Sequence, residues 1–187
     1  MSAALDLDSY REVAEWFEDG HEISDGGSAW VKVDPDDPTI VARLGYYAEA
    51  YQEYAWACFN GDYIGPHIPV YYAIHEEAEE DGAICIMERL EPLDYDHVLT
   101  EVAGSRWSNA WIEYYGDGNY CDAIFEMTRQ FPPEEGWIGH ETITEDFLYL
   151  QAQLVEDGRA LAYSIDIHDQ NVMQRRDGTL VITDPWC

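Results

Sequence analysis

Ser164-Ile-Asp-Ile-His-Asp-Gln-Asn-Val-Met173, then Gln174 to Asp177, then Gly178-Thr-Leu-Val-Ile-Thr-Asp-Pro-Trp-Cys187, is the stretch that decides how the chain reads. Asp166 and Asn171 stand five positions apart, and Asp184 follows after the polar turn Arg176-Asp177-Gly178 and a short apolar strand, Leu180 to Ile182. Two carboxylates and an amide supply only oxygen donors, the kind a hard divalent cation takes, and a carboxylate can also accept a proton. A β-hairpin that uses Asp and Asn only to form its turns has the same local composition. Context separates the two readings. A helical pattern runs into Ser164, a Gly turn and a strand follow Asn171, and an Asp leaves that strand.

That order of groups suits phosphate transfer. One carboxylate orients the proton of an attacking hydroxyl, while an amide and a second carboxylate hold the magnesium that bridges nucleotide phosphates. The spacing Asp-x-x-x-x-Asn is the one found in kinase catalytic loops.

With 187 residues the chain can form one substantial core, or two small lobes. Hydrophobic residues make up 47% and aromatics 14%, which excludes a disordered acidic tail. Charge is the other outstanding property: 39 acidic residues against 9 basic ones leave −30. Such a surface repels nucleic acid and anionic membrane and attracts basic proteins, although solubility alone would also account for it. Lys32 is the single lysine. Cys58, Cys85, Cys121 and Cys187 lie far apart, with no zinc-finger spacing and no sign of a disulfide framework. No basic-then-apolar leader pattern precedes Asp6, and no apolar run is of membrane-spanning length, so a cytoplasmic protein is expected.

Along the chain, Asp8 to Asp19 predicts a short helix. A Gly-containing turn, Ser24 to Ser28, separates candidate strands at Glu22-Ile23 and at Ala29 to Val33. Its Gly26 and Gly27 could lay backbone N–H groups over phosphates, and they equally suit an ordinary hairpin. The turn Asp34-Pro-Asp-Asp-Pro38 leads into a strand over Thr39 to Leu44, a helix follows over Tyr46 to Phe59, and two more strands cover Ile68 to Ile74 and Ala83 to Glu88. Strand alternation puts Val31 and Val33 toward the core and Lys32 toward solvent. From Leu90 helices take over: Asp94 to Val102, Asn109 to Tyr115, Tyr120 to Gln130, and Thr144 to Tyr163 with Thr144 as N-cap. Trp107, Trp111 and Trp137 read as core residues. Arg175 and Arg176 read as solvated cations beside the hairpin turn, His140 has no functional reading, and Trp186 is expected to pack the chain end. The expectation is an α+β, minimal protein-kinase-like two-lobe fold: residues 1–90 form a β-rich lobe with an N-terminal helix, and 91–187 a shortened helical lobe that carries the motifs.

At this point the sequence resembles the early host-shutoff serine/threonine protein kinases of T-seven-like bacteriophages and related phage kinase-like proteins. The shared features are Ser28-Ala-Trp, the Asp-Pro turn into Ile40-Val-Ala-Arg-Leu-Gly45, Ile68-Pro-Val-Tyr71, Asp166-x-His-x-x-Asn-Val-Met173 and Val181-Ile-Thr-Asp-Pro185. The resemblance implies Asp166 as catalytic base, Asn171 and Asp184 as magnesium positions, and Met87 to Leu90 as a hinge facing the adenine of ATP. Glu49 or Glu53 would be the acidic partner from the first-lobe helix. His168, between Asp166 and Asp169, stands where lysine often contacts the transferred phosphate; a loop histidine satisfied by a neighbouring carboxylate is the plainer reading.

Two departures bear on activity. Arg43 occupies the strand position of the kinase lysine, and a planar guanidinium does not substitute freely for an ammonium at a phosphate; Lys32 is the candidate to supply that charge. Only three residues follow Asp184 in this sequence, so no activation segment is expected after it. Two functions are therefore expected from the sequence. One is a magnesium- and ATP-dependent kinase acting on host proteins in the bacterial cytoplasm. The other is a kinase-shaped acidic inhibitor without turnover, a nucleic-acid mimic that binds a basic host protein such as an RNA polymerase, a nuclease or a defence factor. A small acidic domain working inside a larger complex is a third.

Overall fold

The computed structural model describes residues 4–7, 10–18, 22–26, 29–46, 49–76, 82–99, 136, 138–167 and 170–187. Two compact units emerge. The first is Met1–Ile64 with Pro69–Arg89, and the second is Gly65–Ile68 with Leu90–Cys187. Four residues that lie early in the chain thus belong to the later unit.

The first unit is built on an antiparallel sheet of β1 (Glu22–Gly26), β2 (Ala29–Val33), β3 (Ile40–Tyr46), β4 (Tyr71–Glu76) and β5 (Gly82–Glu88), in the order β1-β2-β3-β5-β4. Its central strands are apolar on both faces, as sheets covered on both sides must be. On one face Ile40, Ala42, Leu44, Ile84 and Ile86 pack with Ala4 of a short 3-10 turn, η1 (Ala4–Asp6), and with Val13 of helix α1 (Tyr10–Glu18). On the other, Val41, Cys85 and Met87 are buried, as are Tyr51, Tyr54 and Ala55 of helix α2 (Glu49–Asn60). The strands and α2 expected from the sequence are present within a few residues, but several boundaries differ: Tyr46, expected to open α2, ends β3, α2 begins at Glu49, and β4 begins at Tyr71 and not at Ile68. β1 runs on to Gly26, which pairs with Ala29, so only residues 27 and 28 join the two strands. Backbone hydrogen bonding therefore overrides the turn propensity of Ser24 and Asp25.

The alternation expected for β2 is reversed. Lys32 is 2% exposed, while Val31 and Val33 are only half-buried. Its Nζ donates to the carbonyl of Trp16 and lies 4.4 Å from the centre of the Trp16 ring. The cause is α1: carbonyls in a helix's last turn have no partner inside the helix, and a cation there also meets the negative end of the helix dipole. Close by, the buried Asp34 carboxylate accepts from the amides of Ala4, Asp36 and Asp37, which fixes η1 and the Asp-Pro turn together.

In the second unit a small sheet of β6 (Glu91–Pro92), β7 (Val172–Gln174) and β8 (Leu180–Ile182) is accompanied by a 3-10 turn, η2 (His140–Thr142), and by helix α3 (Glu145–Leu161). Thr144 caps α3 as its sequence implies: Oγ1 accepts from the Phe147 amide at 3.1 Å. The helix ends on Ala162 in the left-handed region, φ 64°. Asp94 opens a turn closed by the His97 amide, and His97 bridges to Ile138, so the helix expected from Asp94 does not begin there. The helices expected over 109–115 and 120–130, with Trp107, Trp111, Trp137 and Cys121, lie outside the described residues. Among the described residues the architecture is α+β, in the element order expected from the sequence: an antiparallel sheet with one internal helix, a connector, a helix, then a polar hairpin. Among the described residues no helix is long and apolar enough to cross a membrane.

Candidate phosphotransfer site

The site begins where α3 ends. Ser164 and Cys187 exchange two backbone hydrogen bonds at 3.0 Å, and the Asp166 amide donates to the Pro185 carbonyl at 2.8 Å. Ile165 and Trp186 form the antiparallel bridge between them. Trp186 anchors this ladder: it is 2% exposed, its Nε1 donates to the Leu154 carbonyl at 2.8 Å, and its ring stacks on Tyr163. The indole fits because residue 158 is glycine; a Cβ there would stand 2.6 Å from Trp186 Nε1.

The ladder sets Asp166 beside the residue that follows Asp184, and the Asn171 side chain closes the loop between them. Its Nδ2 donates to the Asp166 carbonyl at 2.7 Å and to Asp166 Oδ2 at 3.0 Å. The Asn171 carbonyl accepts from the Thr183 amide at 2.9 Å and from Thr183 Oγ1 at 3.1 Å. One residue of the hairpin thus holds Asp166 through its side chain and the neighbour of Asp184 through its backbone. Asp166, Asn171 and Asp184 are all half-buried. The thiol of Cys187 senses the same two carboxylates. Burial first, then the charges of Asp166 and Asp184, raise its pKa.

The donor set suits magnesium: two carboxylates and an amide whose NH₂ end is directed to Asp166, so that Oδ1 is the end able to offer a lone pair. Among the described residues no group of three His, Cys, Asp or Glu side chains is arranged to hold a metal ion, so a site formed from these residues would draw on the Asn171 amide. His168 lies outside the described residues.

The other expected site residues fall in the first unit. Arg43 pairs with Val31 and Cys85 across the sheet, and its guanidinium carbon lies 3.4 Å from the centre of the Tyr51 ring. An aromatic face receives the cation where a carboxylate was expected: Glu49 and Glu53 are both exposed, and Tyr51 is one of the α2 residues turned inward. Tyr51 also bonds Tyr71 Oη at 3.3 Å and lies 3.9 Å from Met87 Sδ. Burial pushes the Cys85 thiol up to about 11, with Arg43 and Tyr51 pulling the other way, and burial pushes Cys58 up to about 12. Lys32 pairs with Ala42 and Arg43 with Val31, so alternation places Lys32 and Arg43 on opposite faces of the sheet. Lys32 therefore does not bring its charge to the face of Arg43. In the expected hinge, the Glu88 amide donates to Val70 at 2.9 Å and the Arg89 amide to Thr39 at 2.7 Å. Gly26 ends β1, and Gly27 lies outside the described residues.

Two residues without a sequence-level role prove central. Arg175, expected in solvent, is half-buried and donates to the carbonyls of Pro66 and Ile68. His67, 4% exposed, contacts both Leu180 and Thr144. No spacing or motif marks either, because their partners lie more than a hundred positions away for Arg175 and for the His67–Leu180 contact.

No protein-family model and no curated protein matches the sequence. Among solved structures, the chain is similar to the CAK complex from Chaetomium thermophilum bound to ATP-gamma-S, at 15% identity and TM-score 0.44, over 95% of this chain and 50% of that one. It is also similar to a thermostable mutant of aminoglycoside phosphotransferase APH(4)-Ia in its apo form, at 12% identity and TM-score 0.41, over 93% of this chain and 70% of that one. The chain thus spans about half the length of the first of these.

Proposed function

We propose that this chain is a kinase-like phosphotransferase of the phage host-takeover type, which moves phosphate from magnesium-ATP to a serine or threonine hydroxyl of a host protein in the bacterial cytoplasm. The observation that carries the reading is the Asn171 side chain bonded to Asp166, with the Asn171 backbone bonded to the neighbour of Asp184. In this reading Asp166 orients the attacking hydroxyl and accepts its proton, while Asn171 Oδ1 and Asp184 hold the metal. Magnesium, when bound, neutralises charge on the phosphate oxygens. His168 is the candidate cation toward the phosphates. The test is transfer of radiolabelled phosphate from ATP to basic host proteins with and without magnesium. Asp166→Ala should lower the rate at least about 100-fold, the lower range for loss of a general base, and Asp184→Ala should lower both the rate and its dependence on magnesium. Equal rates in wild type and both variants would overturn the reading.

A second reading, a kinase-shaped acidic protein that binds and blocks a basic, nucleic-acid-binding host protein without turnover, is favoured by one observation. Arg43 is stacked on Tyr51, and the only lysine is engaged with α1 on the opposite face. Partner binding unchanged by Asp166→Ala and Asp184→Ala, with no phosphate transfer by wild type, would select it.

A further inference from the structure

We propose that His67 is a positioning residue for the Asp166–Asn171–Asp184 cluster, acting through β8; the proposal rests on the metal-binding reading of that cluster. The segment Gly65–Ile68 precedes β4 in the chain, yet it belongs to the second unit. There it lies along β8. Backbone groups of successive strand residues point to opposite edges. Thr183, just past β8, turns its amide to Asn171 on the β7 side. Ile182 turns its amide the other way and donates to the His67 carbonyl at 3.0 Å. The His67 Nδ1 meets the Leu180 carbonyl, on that same edge, at 2.8 Å. β8 is therefore gripped from both sides, by β7 and by His67, one residue before the bond that orients Asn171 and two before Asp184.

The partners fix the tautomer of the ring. A carbonyl can only accept, so Nδ1 carries the proton toward Leu180. Nε2 then accepts from the Thr144 hydroxyl at 2.8 Å, and that oxygen accepts in turn from the Phe147 amide. Phe147 also meets the imidazole edge-on, with ring centres 5.5 Å apart. Arg175 holds the segment on either side of His67, through the carbonyls of Pro66 and Ile68. Each polar atom of His67 thus has a separate role: Nδ1 and the carbonyl secure the strand that carries the site, and Nε2 secures the cap of α3.

The two roles separate by substitution, because the Asn side-chain amide stands near Nδ1 of histidine and the Gln amide near Nε2. Mn²⁺ affinity, read by electron paramagnetic resonance, should stay within about threefold of wild type in His67→Asn. In His67→Gln it should fall about 10- to 100-fold, the range for partners that orient metal ligands. Thr144→Ala, which removes the Nε2 contact together with the cap bond from Phe147 but leaves Nδ1 on Leu180, should lower the melting temperature and leave Mn²⁺ affinity unchanged. Arg175→Ala should weaken Mn²⁺ binding in the direction of His67→Gln, and it serves should the buried position not tolerate glutamine. Equal affinity in His67→Asn and His67→Gln would overturn the proposal, as would a loss in Thr144→Ala matching that in His67→Gln. Should wild type bind no Mn²⁺, the metal-binding reading fails, and amide hydrogen exchange still decides the positioning role. The Thr183 amide should exchange faster in His67→Gln than in His67→Asn; equal rates would sink it.

Discussion

His97 shows how one buried side chain ties stability to pH. It is 2% exposed, and its ring lies against Gly139, whose φ of +83° and lack of Cβ leave room for it. Nδ1 accepts from the Leu99 amide at 3.1 Å, so the proton sits on Nε2, which faces Thr142 Oγ1 at 3.2 Å. A proton on Nδ1 would oppose the Leu99 N–H. Burial lowers the pKa below 6.5; Asp94, Glu141 and Asp96 counter this in part, and His140 adds to it. Between its lowered folded pKa and 6.5 the unfolded chain therefore binds a proton that the folded chain refuses. The contribution is complete above the unfolded value and is lost as pH falls through the folded pKa. Denaturant unfolding from pH 7.5 to 5 should show a steeper loss for wild type than for His97→Gln, by up to about 1.4 kcal/mol per pH unit for a single group. Parallel curves would refute this. Lys32 teaches a related lesson about reading sequence. Alternation within β2 could not show that the last turn of α1 would present an unpartnered carbonyl, so a cation that reads as surface is core. Asp166, Asn171 and Asp184, by contrast, were legible because local turns and two short strands set their spacing.

α3 and its neighbours carry the site through packing, and two substitutions on the helix test this. Gly158 admits Trp186, so Gly158→Ala should destabilise the protein by about 1–3 kcal/mol, the usual cost of overpacking a filled core, and should loosen the Ser164–Cys187 ladder. A melting temperature within error of wild type would count against that role for the glycine. Gln151 is fully buried, and neither amide atom has a hydrogen-bond partner among the described residues. An unsatisfied buried amide costs about 1–3 kcal/mol. Gln151→Leu should accordingly raise stability by about that amount in denaturant titrations, and a loss would mean that the amide has a role the fold depends on. The strands and α2 were readable because their patterning is local: short apolar runs between Pro and Gly turns, then an aromatic helix. β6 was not. Two residues, Glu91 and Pro92, become a strand only because β7 lies beside them. Arg175 and His67 escaped for the same reason, their partners being supplied by tertiary structure.

Across the whole molecule a net charge of −30 acts in two opposite ways. Self-repulsion of like charges works against the compact state, and salt screens it. The melting temperature should rise as ionic strength goes from about 0.01 to 0.5 M, a range over which the screening length falls from about 30 Å to a few ångströms. Association with a basic protein should weaken over the same range, by about tenfold or more, because there the attraction is what is screened. Affinity that does not change with salt would rule out the acidic surface as the source of binding.

The seating of Gly65–Ile68 in the second unit also bears on the order in which the molecule assembles. Contacts that join residue 67 to residues 144 and 180 close long loops, and such closures slow folding. On the ribosome the β1–β5 sheet has all of its strands once residue 88 has emerged. His67 then waits for nearly a hundred further residues before Leu180 is made. During that interval its ring and the carbonyls of Pro66 and Ile68 are without Leu180, Thr144 and Arg175, the groups they bond in the finished fold, so this short segment emerges early and docks late.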